Sequence, residues 1–152
     1  MATFRILLPY NYSPNDQKAI RFAIETFAGQ KDVQLTLFHV YTPLPAIDVK
    51  ANPENLKLRS GMHFLASELK EREAALETVR EMLVESGFDS ANVTCVFKKR
   101  KKSAAEEIID AAEGCNVLVL SRGAGKVTHF FTRSIYARVI GAMSGVTICV
   151  AT

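Results

Sequence analysis

Five short β-forming runs alternate with four stretches of helical periodicity along this chain, and no other feature constrains the fold as much. Phe4-Arg5-Ile6-Leu7-Leu8, stopped by Pro9, is the first strand. Ser13-Pro14-Asn15-Asp16 has the form of a helix start, with Ser as N-cap, Pro at the first helical position and an acid in the first turn. Ala19, Ile20, Ala23, Ile24 and Phe27 follow on one helical face, and Gly29 closes it. Val33 to Val40 is a second strand. Leu65, Leu69, Leu76, Val79 and Leu83 form the apolar stripe of a long second helix closed by Gly87. Glu68, Lys70, Glu71, Glu73, Glu77 and Glu81 lie largely off that stripe, as a solvated face and not a catalytic acid cluster. Between the second strand and this helix, Thr42 to Gly61 holds Pro43, Pro45 and Pro53 and is expected to be irregular, with room for a short helix or a functional loop.

The second half keeps the alternation. Val93 to Phe97 is the third strand. Ser103-Ala104-Ala105-Glu106 matches a capping box, and Ala105, Ile108, Ile109 and Ala112 give the third helical face. Val117-Leu118-Val119-Leu120 is apolar at every position, as expected of a strand covered on both faces. Ile135, Tyr136, Val139, Ile140 and Met143 form the last helical face, and Val146 to Val150 the fifth strand. Such a βαβαβαβαβ order requires a parallel sheet with right-handed crossovers and helices on both faces, an α/β doubly wound fold. The 152 residues are expected to form one domain, 1–152. Open sheets of this kind bind ligands beyond the C-terminal ends of their strands, where strand order reverses. That rule selects residues 9–13, 40–42, 98–103 and 121 onward.

Charge points to one of these segments. The 19 Lys and Arg exceed the 16 Asp and Glu by three, and Lys98, Lys99, Arg100, Lys101 and Lys102 are consecutive. Without these five, 14 cations face 16 acids. A chain otherwise near neutral is not built to coat nucleic acid, and nucleic acid is not an expected partner. No apolar run approaches the ~20 residues of a membrane span, and the first residues lack a long apolar signal core, so a cytoplasmic protein is expected. The three Cys have no CxxC spacing, and Cys95 and Cys149 lie inside strand-like runs as reduced, buried thiols.

The loop after the fourth strand, Ser121-Arg122-Gly123-Ala124-Gly125, carries the most specific signal. Gly123 and Gly125 allow backbone N–H groups to approach an anion ahead of a helix N-terminus. A Walker A loop ending at Gly125-Lys126 fails at Leu120 and Val127. A GxGxxG pattern fails at Thr128. His39, His63 and His129 have no spacing suited to a shared metal, and neither Ser121 nor Ser134 sits in a nucleophile elbow. His39, inside a strand, is expected to be packed and hydrogen-bonded. His129, beside Phe130 and Phe131, is the one histidine near the proposed site.

Four segments together resemble the universal stress protein family over essentially the whole chain. They are Ile6 to Ser13 (ILLPYNYS), Leu35 to Val40 (LTLFHV), Val117 to Gly123 (VLVLSRG) and Ser144 to Val150 (SGVTICV). The resemblance implies a five-stranded sheet in the order 3-2-1-4-5, a homodimer paired through the fifth strand, and in many members an ATP or other adenine-nucleotide site. That site uses G-x-x-G, nine residues, then G-[ST], and an Asp after the first strand. Here the pattern falls on Leu120-Ser121-Arg122-Gly123 and Arg133-Ser134, so the first and third glycines are replaced, and the Asp position holds Asn11. A side chain at 120 is expected to crowd the approach of a ligand, and Arg133 either blocks the phosphate path or itself binds phosphate as a forked donor.

The expected function is therefore a homodimeric stress-response or signalling module with a degenerate nucleotide site. The alternative is an ATP- or AMP-binding switch, with Mg²⁺ and at most weak ATPase activity. Gly123, Gly125, Ser134 and Ile135 would offer backbone and hydroxyl groups, Arg122 and Arg133 charge, and Asn11 and Val40 would flank the nucleoside. No catalytic or metal-binding residue is assigned. For the basic run three readings stay open: a solvated loop, a contribution to the anion site, and a polyanion-binding patch formed by 98–102. Single-stranded nucleic acid would want aromatics among the cations, and only Phe97 adjoins them.

Overall fold

A computed structural model describes residues 3–43, 55–122 and 137–152, the side chains of 55–60 excepted. The strands are β1 (Phe4–Pro9), β2 (Val33–Tyr41), β3 (Val93–Lys99), β4 (Val117–Ser121) and β5 (Thr147–Ala151). All pair in parallel, in the order β3-β2-β1-β4-β5. Strand order reverses between β1 and β4, so the crevice rule now has a fixed address. The helices are α1 (Asp16–Phe27), α2 (Asn55–Glu85), α3 (Ala104–Ala111) and α4, helical over 137–142.

Each sheet face buries its own core. On one face Ile6, Leu8, Leu35 and Leu37 pack with Ala19, Ile20, Ala23 and Phe27 of α1 and with Leu76 and Leu83 of α2. On the other, Leu7, Phe38, Leu118 and Leu120 pack with Ala105, Ile108 and Ala112 at α3 and with Val139 of α4. The period-2 alternation of strand side chains produces this division, since consecutive residues of one strand serve opposite cores.

Four details differ from expectation. Regular α1 begins at Asp16, three residues after Ser13, because Pro14 and Asn15 form a turn. Ser13 still caps that turn, its Oγ accepting from the Asn15 N–H at 3.1 Å. The segment expected to be irregular as far as Gly61 is helical from Asn55, while 44–54 lie outside the described residues. Of the expected capping box only half forms: Ser103 Oγ accepts from the Glu106 N–H at 3.2 Å, but the Glu106 carboxylate pairs with Arg138. The three Cys are free thiols, partly buried rather than fully so, and burial pushes the Cys95 thiol up to about 11. Among the described residues no helix is long and apolar enough to cross a membrane.

Candidate functional site

At the C-terminal ends of β1 and β4 the chain is organised around one carboxylate. Asp16, only 3% exposed, accepts the Asn11 N–H at 2.8 Å and the Ser13 N–H at 3.0 Å on Oδ2. Its Oδ1 accepts the Ser121 hydroxyl at 2.5 Å. One side chain thus fixes the β1–α1 turn and fastens it to the last residue of β4. In a turn this tight, backbone amides must find partners, and an ionised acceptor is the strongest available. The sequence carries a signal for it, since Ser13-x-x-Asp16 has capping-box spacing with the acid reaching back to the cap amide.

The same turn holds an aromatic cluster. Tyr12 has φ 60, a left-handed conformation that costs a bulky residue energy. Its hydroxyl donates to the Arg72 carbonyl of α2, and its ring meets Tyr10 and His39 edge-on at centroid distances of 5.0 and 4.9 Å. Burial, with Tyr10 beside it, pushes the Tyr12 phenol up to about 12. His39 is packed and hydrogen-bonded, with Nδ1 2.8 Å from the Tyr10 carbonyl, which makes Nδ1 the protonated nitrogen. Burial holds His39 below the ordinary imidazole range, and Nε2 has no partner among the described residues. Phe97 stacks on both His39 and Tyr41, at 5.4 and 4.9 Å.

Of the residues selected from sequence, three are described. Asn11 is exposed at the β1 end, its N–H held by Asp16. Val40, in β2, is half-buried and packs on the α3–α4 core. Arg122 is exposed just past β4, with its N–H donating to the Ala151 carbonyl at 2.8 Å. Gly123, Gly125, His129, Arg133, Ser134 and Ile135 lie outside the described residues. Leu120, expected to crowd a ligand, is 4% exposed and packs among Phe38, Leu118 and Val139, so its side chain is taken up by the core.

The basic run is built around a second buried carboxylate. Glu107, 2% exposed, lies 2.9 Å from Lys98 Nζ through Oε2 and accepts the N–H groups of Lys101 and Lys102, both at 3.1 Å, on Oε1. The Lys98 ammonium, helped by the two amides, holds the Glu107 carboxyl below the usual carboxylate range against the opposing effect of burial. Lys102 pairs with Asp110 at 2.7 Å. Among the described residues no group of three or more His, Cys, Asp or Glu could hold a metal ion.

The sequence pattern of the Universal stress protein family matches residues 3–144. No curated protein sequence matches the chain. Among solved structures, the universal stress protein UspA from Lactobacillus plantarum is similar with a TM-score of 0.66 and 18% identity, over 100% of both chains. A universal stress protein from Archaeoglobus fulgidus, in complex with dAMP, is similar with a TM-score of 0.62 and 16% identity, again over 100% of both. A family protein from Arabidopsis thaliana with AMP bound has a TM-score of 0.54 and 15% identity, covering 98% of this chain and 92% of that one.

Proposed function

The chain belongs to the universal stress protein family, and from that premise we propose that it is a homodimeric, cytoplasmic stress-response or signalling module with a reduced adenine-nucleotide site. The module spans 1–152 as one domain. The observation that carries the reduced site is the Asp16 network. The Asn11 and Ser13 amides and the Ser121 hydroxyl, donors at the crevice mouth, are already spent on Asp16. Asn11 adds no charge there, and Arg133 replaces a glycine in the phosphate pattern. Protein donors already satisfied by a buried carboxylate gain little from a ligand. The dimer would form through β5, an outer strand of the sheet.

A second reading is favoured by the structures of relatives with dAMP and AMP. In it the same crevice is an ATP or AMP switch, with at most weak ATPase activity and with Gly123, Gly125, Ser134, Ile135, Arg122 and Arg133 around the phosphates. Leu120, packed in the core, does not oppose it. Calorimetry with AMP and ATP, with and without Mg²⁺, separates the two. The reduced site predicts a Kd above about 100 μM, and tighter binding in the variant carrying Asn11→Asp and Arg133→Gly. Micromolar binding by the native chain, abolished by Gly123→Val, would overturn it in favour of the switch.

A further inference from the structure

The five consecutive cations do not behave as one group. Glu107 engages Lys98 and Asp110 engages Lys102, which leaves Lys99, Arg100 and Lys101 in the middle. These three are exposed and have no acidic partner among the described residues. Their backbone is nevertheless fastened. The Arg100 N–H donates to the Tyr41 carbonyl at 2.9 Å, and the Lys101 N–H is held by Glu107. Three like charges on a fixed strap repel one another, a cost that a flexible loop would relieve by spreading.

The fold also supplies what the sequence of the run lacks. Lys99 is the register partner of Tyr41, so the two lie on one face of the sheet. The Tyr41 ring is backed by Phe97 and borders an open cleft of about 310 Å³ against α2, with Pro43, Leu65, Leu69 and Arg72 along it. Glu68, also on that wall, lies 3.7 Å from Arg72, which offsets its charge. Phe64, next to Leu65 on α2, is 69% exposed. An aromatic ring braced from behind, an apolar wall and three exposed cations at the same corner form a combination that takes a planar base and neighbouring phosphates.

We propose that this β2–β3 corner binds single-stranded nucleic acid, with phosphates on Lys99, Arg100 and Lys101 and one base seated against Tyr41 in the cleft beside α2. An acidic peptide would use the cations but has no planar group for Tyr41, and a duplex keeps its bases stacked. The corner is formed by β2 and β3 at the β3 edge of the sheet, with β1 between it and β4.

Fluorescence anisotropy with a labelled oligouridylate of about 20 nucleotides tests the proposal on the full chain. With three phosphates neutralised, raising salt from about 50 to about 200 mM should weaken binding roughly 20-fold. The combined Lys99→Ala, Arg100→Ala and Lys101→Ala variant should lose at least about tenfold in affinity and flatten that salt dependence. Tyr41→Leu should weaken binding about tenfold and leave the salt dependence unchanged. Circular dichroism spectra of both variants should match that of the native chain, because Lys98 and Lys102, which hold Glu107 and Asp110, and the backbone of β2 are untouched. Absence of binding, or native affinity in the triple variant, would overturn the proposal. Native affinity in Tyr41→Leu, with polyglutamate competing as well as oligouridylate, would overturn it in favour of an acidic-protein surface.

Discussion

Asp16 shows how much one side chain can organise. A carboxylate that is 3% exposed survives burial only where its lone pairs are used, and here three donors from two separated segments use them. Asp16→Ala strands two backbone amides and a hydroxyl at once. The cost should be about 3 kcal/mol, seen in a urea titration as a lower midpoint with an unchanged slope. For a chain of this length the melting temperature should fall by roughly 10 °C. Ser121→Ala removes one of the three bonds and should cost about 1 kcal/mol. If the two variants proved equally mild, Asp16 would not be the tie between β1 and β4. Its role was half legible in the sequence. The Ser13-x-x-Asp16 spacing announces the reach back to the Ser13 amide, but the bond to Ser121 joins positions 105 residues apart. Only the adjacency of β1 and β4 brings those together.

At the scale of the element, strands and helices were legible because their periods are local. Val117 to Leu120, apolar throughout, is buried throughout, and the α1 face picked out by Ala19, Ile20, Ala23 and Phe27 is the one that packs. The basic loop was not legible in the same way. Five like charges gave no hint that Glu107 would turn back from α3 to hold two of their amides and one ammonium. That arrangement is pH-sensitive in a defined direction. The folded-state pKa of Glu107 lies below the ordinary 4.5, with the Lys98 bond as the largest cause. Folding therefore favours the ionised form. Its contribution is complete above about pH 4.5 and is lost as pH falls through the lower folded value. Glu107→Gln should flatten that part of the acid limb when urea midpoints are compared at neutral and acid pH. At neutral pH it should also speed hydrogen exchange of the Lys101 and Lys102 amides roughly tenfold or more. Unchanged exchange at both amides would mean that the strap is held by something other than Glu107.

For the whole molecule, the order β3-β2-β1-β4-β5 creates two sheet edges, and they are treated differently. The β3 edge runs into Lys98 to Lys102, and cations at an edge discourage pairing with another chain. The β5 edge, Thr147-Ile148-Cys149-Val150-Ala151, carries no charge at all. Val150 is 38% exposed there, and Ile140 on α4 is 52% exposed. An unguarded strand with apolar exposure favours pairing with another strand, and the simplest closed partner is a second copy across a two-fold axis, since a heterologous contact would continue into a filament. Light scattering across a range of concentrations should therefore return about twice the 16.8 kDa chain mass. Val150→Lys places a charge on that edge without removing a fully buried side chain, so it should give a folded monomer with circular dichroism like the native chain. In such a dimer the two edges would divide the work: the charged one at β3 would stay open to a ligand in every copy, while the neutral one at β5 would join the copies. A native chain that remains monomeric at every concentration would remove this division and with it the homodimeric part of the proposed function. A Val150→Lys variant that still dimerises would move the interface away from β5.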